Sequence, residues 1–474
     1  MRVVIFSEGS YPFVVGGVAS WEHMLIQSFS EHEFIVHAIL PDRSYNAKYK
    51  YDFPENMIEI RESYLDDSDY IRPKQEKVRL NEAEKAAFRS LLFGEDVQWK
   101  ELFYYFDRKD PSINGLLMGK DFLDIVKEFY REKYPQCVFT DLLWNMRSLY
   151  LPLFMMLKQP IAEADLYHTV STGYAGILAC KAKVLYNRPM LLTEHGIYSR
   201  EREEEIIKVE WNKGIYKDIW IQYFYTLSRC AYDMADKVMS LFEGARKIQV
   251  ELGCPEDKTL VVPNGVEVDQ FTNLPQKSKT DSYINVGAVL RIVPIKDIKS
   301  MITAFAIAKN KVPNLKLFLM GPTEENPEYF QECVDMVNSY GLQDVEFTGR
   351  INVKEYLGKM DFTILTSISE GQPLSMLESM SAYKPCIATD VGACRELVYG
   401  NQDGCGEAGI VVPVMNTEKI AAAIVRLANH PDLCREWGFN GRKRVEMLYQ
   451  KHTMIQTYRR LYQIGEKQDG WNRI

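Results

Sequence analysis

Apolar residues along this chain gather in short unbroken runs, separated by longer stretches with helical spacing. That alternation predicts repeated strand–helix–strand units and parallel sheets, because strands buried on both faces need apolar side chains at successive positions. Val3–Phe6 reads as the first strand. A turn-rich loop with Gly9, Pro12, Gly16 and Gly17 follows, and a helix starts near Ala19. Phe34–Leu40, Ala164–Thr169, Pro189–Thr193 and Lys237–Leu241 continue the first series. A second series runs through Tyr283–Ala288, Leu315–Met320, Val345–Thr348, Phe362–Thr366, Pro385–Ala388 and Gly409–Val412.

Residues 43–135 break the rhythm. They are rich in charge and aromatics, with helical spacing at Asn81–Phe93 and Asp121–Lys133, and read as a mostly helical elaboration of the first domain. The turn Pro263-Asn264-Gly265 and the polar stretch QFTNLPQKSKTD place the domain boundary between Val262 and Asp281. The expected architecture is α/β: a Rossmann-like domain over 1–265, a second over 281–450, and a helical segment at 451–474. Two such halves imply a cleft, with ligands at the carboxyl ends of the strands.

Composition narrows the partners. With 474 residues, two domains are the natural reading, and 46% hydrophobic with 26% charged residues is ordinary globular usage. A net charge of -8 without a dense Lys/Arg run argues against nucleic acid. The nine cysteines form no C-x-x-C pair, so they read as apolar fillers in a reducing compartment. The N-terminus lacks a signal-peptide layout, and the longest apolar run, Leu149–Leu157, contains Pro152 and is too short to span a bilayer. The expectation is a cytoplasmic protein that reaches a membrane only through a partner.

Four segments carry chemistry. In Ser369–Met380, Glu370 sits on a loop made by Gly371, Gln372 and Pro373, a helix opens at Leu374, and Glu378 lies on its first turns. A helix N-terminus suits a diphosphate, and flanking carboxylates suit sugar and ribose hydroxyls. A capped helix with a surface glutamate would give the same letters. In Val289–Lys299, Arg291 and Lys296 follow a strand, where two cations would neutralise a leaving diphosphate; most such pairs are solvated. Gly16-Gly17-Val18 allows close backbone approach to a phosphate or sugar, but lacks the full G-x-G-x-x-G pattern. In Thr193-Glu194-His195-Gly196 a strand ends in histidine, equally suited to a sugar hydroxyl or a loop carbonyl. His168 with Ser171-Thr172-Gly173 reads as a helix cap.

Together these segments resemble a known family. VVPNGVEVD, the R-x4-K pair, FLMGP, FTGR and E-x7-E, in this order, resemble family 4 of the retaining GT-B glycosyltransferases across nearly all of the second domain. SEGSYPFVVGGVASW, YHTVSTGYAG and TEHGIYSRERE resemble a narrower branch, the cytosolic glycosyltransferases of Pel-type exopolysaccharide synthesis. The resemblance implies a hexose moved from a UDP-sugar, UDP-glucose first and UDP-N-acetylhexosamine second, to a growing glycan acceptor. No metal or other cofactor is implied. Arg291 and Lys296 would grip the diphosphate, Glu378 the ribose, and Glu370 the transferred sugar. Gly371, Gln372 and Leu374 would offer backbone N–H groups beside Pro373. Gly349 and Arg350 would lie near the base, Gly17 would close over the phosphates, and His195 would sit beside the reacting sugar. The C-terminal helix would return to the first domain, the two domains would close about the connector, and an inner-membrane synthase complex would be the partner. Two positions depart from the pattern: Leu290 and Asp297 stand where many members have glycine.

Other readings share this architecture. A hydrolysing sugar-nucleotide epimerase would need no acceptor. A catalytically silent sugar-nucleotide-binding scaffold would need none of the catalytic set. A pyridoxal-phosphate phosphorylase would need a cofactor lysine, for which no context is found. A metal-dependent transferase would need an Asp-x-Asp pair; Asp67-Ser68-Asp69 fits formally but reads as a solvated loop.

Overall fold

The computed structural model describes residues 1–43, 48–66, 78–210, 214–278 and 280–467. Asp67-Ser68-Asp69 lies outside them. The chain forms two compact units. Unit 1 holds residues 1–240, 246–261 and the chain from Tyr458 onward; unit 2 holds 241–245 and 262–457. Each is a Rossmann-like parallel sheet flanked by helices.

Unit 1 carries β1 (Arg2–Glu8), β2 (Glu33–Asp42), β3 (Met57–Asp66), β4 (Leu166–Thr169), β5 (Met190–Glu194), β6 (Lys237–Ser240) and β7 (Thr259–Val261), in the order β3-β2-β1-β4-β5-β6-β7. Val3 of β1 pairs with Phe34 on one side and Leu166 on the other. Unit 2 carries β8 (Ile284–Val289), β9 (Leu315–Met320), β10 (Val345–Gly349), β11 (Phe362–Leu365), β12 (Cys386–Thr389) and β13 (Gly409–Val412), in the order β10-β9-β8-β11-β12-β13. The central strands are buried throughout, which is why they appear in the sequence as continuous apolar runs.

The segment 43–135 is not wholly helical. Met57–Asp66 forms a ten-residue edge strand paired with β2. Its polar sequence, MIEIRESYLD, follows from that position, since an edge strand keeps much of its surface in water. The expected helices are present as Glu82–Phe93 and Lys120–Lys133. Asn81 closes the first with a reciprocal capping box to Glu84. The run Leu149–Leu157 lies in the helix Phe139–Lys158, which packs on β3 and buries Phe154 edge-on against Phe88. No helix among the described residues is long and apolar enough to cross a membrane. All nine cysteines are free thiols.

Residues 262–281, expected as a connector, pack with unit 2. There Val266 and Gln450 form a parallel bridge, and a Cβ on Gly265 would fall 2.4 Å from the backbone nitrogen of Lys451. The helix Lys451–Lys467 begins in unit 2 and ends in unit 1. In unit 1 its Tyr458 and Tyr462 are fully buried. Tyr458 Oη meets Thr193 Oγ1 at 3.1 Å, Thr193 Oγ1 meets His168 Nε2 at 2.9 Å, and His168 Nδ1 meets Tyr462 Oη at 2.9 Å. His168 is therefore a structural histidine tying this helix to strands β4 and β5.

Candidate functional site

In unit 2 the chain runs from β8 outward through β9 and β10, then returns to place β11 on the other side of β8. The loops after β8 and β11 therefore diverge, which opens a crevice at the strand ends where parallel sheets bind ligands. The two loops are tied at their base. Ile368 N donates to Ile295 O at 2.9 Å, and Thr366 Oγ1 donates to the carbonyls of Lys296 and Asp297.

The two sequence motifs meet here. Lys296 Nζ lies 2.5 Å from Glu370 Oε1, and Ser367 Oγ donates to the same oxygen at 2.6 Å. Side-chain exposures of 15% and 12% make this a nearly desolvated ion pair. Its position is strongly specified, because separating the partners would leave a buried charge uncompensated. Arg291 is more open and pairs with Glu325 on the loop after β9.

Asp297 holds φ 46° and ψ 51°, the left-handed conformation that glycine adopts most easily. The departure from glycine thus leaves the backbone turn intact. Its side chain also caps the helix Ile298–Lys309 through Ser300 N. Leu290 is buried, and its carbonyl lies where a Cβ on Gly321 would be, 1.8 Å away.

The helix Leu374–Ser381 starts after Pro373 with no side chain capping its first turn. Its N-terminal amides keep their attraction for an anion. Gly371 O accepts from Ala393 N at 2.8 Å. Gln372 turns its side chain away from this mouth: Oε1 accepts from Asn264 N at 2.6 Å, while Nε2 is buried without a partner. Glu378, one turn into the helix, has no side-chain partner among the described residues, and burial pushes its carboxyl up to about 7. Gly349 has φ 67°, and Arg350 beside it is exposed at the end of β10.

Gly392, after β12, is a site residue that motif reading missed. Its φ is 51°, and a Cβ there would lie 2.2 Å from the carbonyl oxygens of both Glu370 and Gly371. Gly392→Ala is expected to push that loop outward and weaken anion binding at the helix mouth about tenfold, at a stability cost of about 1–3 kcal/mol. Calorimetry and thermal melts check both. Only the positive φ that a glycine after a strand often signals could have pointed to it.

In unit 1 the reversal falls between β1 and β4. Glu8, ending β1, accepts from Ala175 N at 3.1 Å, Ser171 Oγ at 3.3 Å and Tyr198 Oη at 2.8 Å. Gly173 is the N-cap of the helix Tyr174–Tyr186, as expected for Ser171-Thr172-Gly173, but no side chain of that segment caps it, and Glu8 meets the first-turn amide of Ala175 instead. Glu194, ending β5, accepts from Tyr198 N, Thr172 Oγ1, Tyr232 Oη and Gln249 Nε2. Burial raises both carboxyls above their ordinary range. Their shared hold on Tyr198 fixes the turn His195-Gly196-Ile197. His195 lies edge-on to Trp21 at 4.7 Å between ring centroids, with Nε2 buried and unpartnered. Burial lowers it to about 4, so at neutral pH it is an uncharged hydrogen-bonding group. Gly16 is extended, and Gly17 opens the helix Gly17–Ser28; a Cβ on either would meet nothing within 4 Å, so packing within the protein does not demand glycine there.

Comparison with known proteins agrees with this layout. Residues 1–257 match the domain of unknown function DUF3492, and residues 269–444 match Glycosyl transferases group 1. The MMP alpha-(1->4)-mannosyltransferase of Mycolicibacterium hassiacum is 24% identical over 57% of this chain and 64% of its own. The UDP-Gal:alpha-D-GlcNAc-diphosphoundecaprenol alpha-1,3-galactosyltransferase of Escherichia coli is 26% identical over 66% of this chain and 80% of its own. Three of the curated relatives are matched over only 37%, 64% and 42% of their length. Anabaena Alr3699/HepE, solved with UDP and glucose, superposes with a TM-score of 0.59 at 14% identity, covering 97% of this chain and 99% of that one. The fold is that of the GT-B glycosyltransferases.

Proposed function

From the premise that this chain belongs to the DUF3492 family, we propose that it is a metal-independent, retaining glycosyltransferase that moves a hexose from a UDP-sugar to a growing exopolysaccharide. The observation that carries this reading is the Lys296–Glu370 pair beside the uncapped helix Leu374–Ser381, at the strand reversal of unit 2. A cation, a sugar-facing carboxylate and a helix N-terminus in one crevice are the parts a nucleoside-diphosphate sugar needs. The group 1 segment spans the same residues. Relatives named for a UDP-galactose donor and solved with UDP favour uridine, with glucose first and an N-acetylhexosamine second.

In this reading Arg291 and Lys296 hold the diphosphate, Glu378 the ribose and Arg350 the region of the base. The bond from the sugar C1 to the diphosphate oxygen breaks as the acceptor oxygen bonds C1 on the same face. The acceptor proton passes to the leaving phosphate. The protein's part is charge stabilisation and orientation. Neutral His195 serves the acceptor side as a hydrogen-bond partner. The unit 1 signatures support the Pel-type branch and, with it, docking on an inner-membrane synthase.

The test is calorimetric titration with UDP, UDP-glucose, UDP-N-acetylglucosamine and UDP-N-acetylgalactosamine, with and without EDTA. UDP binding that survives EDTA and is weakened at least tenfold, but still measurable, in Arg291→Ala supports the reading; no binding of any of them sinks it. The pH dependence is specific. Ionised Glu378 accepts from both ribose hydroxyls, and that form is lost as pH falls below about 7. UDP affinity is therefore expected to drop between pH 8 and pH 6. Glu378→Gln should weaken binding about tenfold at pH 8 and remove that part of the slope.

A further inference from the structure

Arg291, read as a phosphate ligand, is already engaged: its Nη1 lies 2.5 Å from Glu325 Oε1. Rigid backbone brings Glu325 there. The loop after β9 runs beside the loop after β8, with Leu290 N donating to Met320 O at 3.0 Å and Ile292 N to Pro322 O at 3.1 Å. Gly321 lets the two loops touch without a side chain between them. At the far end Asn326 caps the helix Pro327–Ser339, accepting from Tyr329 N at 3.0 Å. Glu325 sits immediately before that cap, so its backbone is held on both sides. Lys296 is paired with Glu370 in the same crevice. Both cations of the loop after β8 thus carry a carboxylate counter-ion in this state.

We propose that Glu325 sets the affinity of this site for a nucleoside diphosphate, by occupying Arg291 until a phosphate displaces it. This rests on the donor-site reading above and adds a residue to it. The carboxylate and the phosphate compete for one guanidinium fork. Binding is therefore weaker than the bare cations would give, and the departing diphosphate is replaced rather than leaving Arg291 unpaired. The competition favours ligands with enough negative charge to displace a carboxylate, which separates a nucleoside diphosphate from a neutral sugar.

The experiment is calorimetric titration with UDP of the wild type, Glu325→Gln, Arg291→Ala, the double variant and Glu324→Gln, at low and high salt. Thermal melts check that each is folded. Glu325→Gln is expected to tighten UDP binding about fivefold, and more at low salt. In the Arg291→Ala background the same change should have no effect. Glu324→Gln, which removes the same charge one residue away, should have little. Glu325→Asp, with a shorter reach, should fall between wild type and Glu325→Gln. Unchanged or weaker binding in folded Glu325→Gln overturns the proposal. So does tightening that persists without Arg291 or is matched by Glu324→Gln. A wild type that binds no UDP overturns the donor-site reading itself, a separate and recognisable failure.

Discussion

Lys296→Ala is expected to lower kcat/KM for sugar transfer by about 10²- to 10³-fold while leaving the protein folded. Two effects act in the same direction. On the proposed donor-site reading, the substitution removes a cation that would meet the charge growing on the leaving diphosphate. It also leaves the Glu370 carboxylate, with a side-chain exposure of 12%, facing the crevice without its partner. An unpaired carboxylate there repels the diphosphate and raises the cost of binding it. The second effect is separable. Lys296→Ala with Glu370→Gln removes the stranded charge, so it should recover UDP affinity relative to Lys296→Ala alone. It should not recover turnover, because the cation is still missing and Glu370 no longer meets the sugar. Steady-state kinetics with UDP calorimetry on the three variants gives the answer. A Lys296→Ala enzyme within threefold of wild type would mean that this loop does not grip the leaving group.

The parts of this site differed in how readable they were, for physical reasons. Central strands such as Val3–Phe6, Leu315–Met320 and Phe362–Leu365 are covered on both faces, and so leave nearly unbroken apolar runs in the sequence. Met57–Asp66 is an edge strand, and its charged positions disguised it. Thr259–Val261 is too short to leave a pattern. R-x4-K and E-x7-E were legible because each lies within one strand-end loop and its helix. Glu325 and Gly392 were not, because they come from the ends of β9 and β12 and join the others only through the strand order. Asp297 shows the converse: it breaks the expected glycine but keeps the glycine's backbone angles. Glu8 and Glu194 lie in quoted segments, but their roles were not legible there, since most of the groups they bind lie far along the chain.

The stability of unit 1 should fall steeply with rising pH, and Glu22 should be a principal cause. Its side chain is fully buried in the helix Gly17–Ser28, behind the loop that follows β1. Ser7 Oγ and Ser10 Oγ donate to Oε2 at 3.2 and 3.1 Å, while Oε1 has no partner. No cation is among the groups that offset its burial, and desolvation pushes its carboxyl from 4.5 up to about 8. Between those values the folded chain keeps a proton that the unfolded chain has shed. The stabilising contribution is complete below the unfolded value and is lost as pH rises to about 8, a swing of about 5 kcal/mol. Glu8 and Glu194 are raised as well and tilt stability the same way. Buried His37, His168 and His195 are lowered and oppose it only at acid pH. A single pH profile therefore cannot assign the effect, but a difference between two proteins can. Glu22→Gln keeps the shape and the serine contacts without a titrating group. Relative to wild type it should gain about 3–4 kcal/mol of stability between pH 5 and pH 8, whatever constant penalty the new amide adds. Urea unfolding at the two pH values measures that double difference. An equal gap at both would show that Glu22 is ionised in the folded protein. The loop beneath it, with Ser7, Ser10 and Tyr11, would then rest on a charge balanced by something other than these hydroxyls.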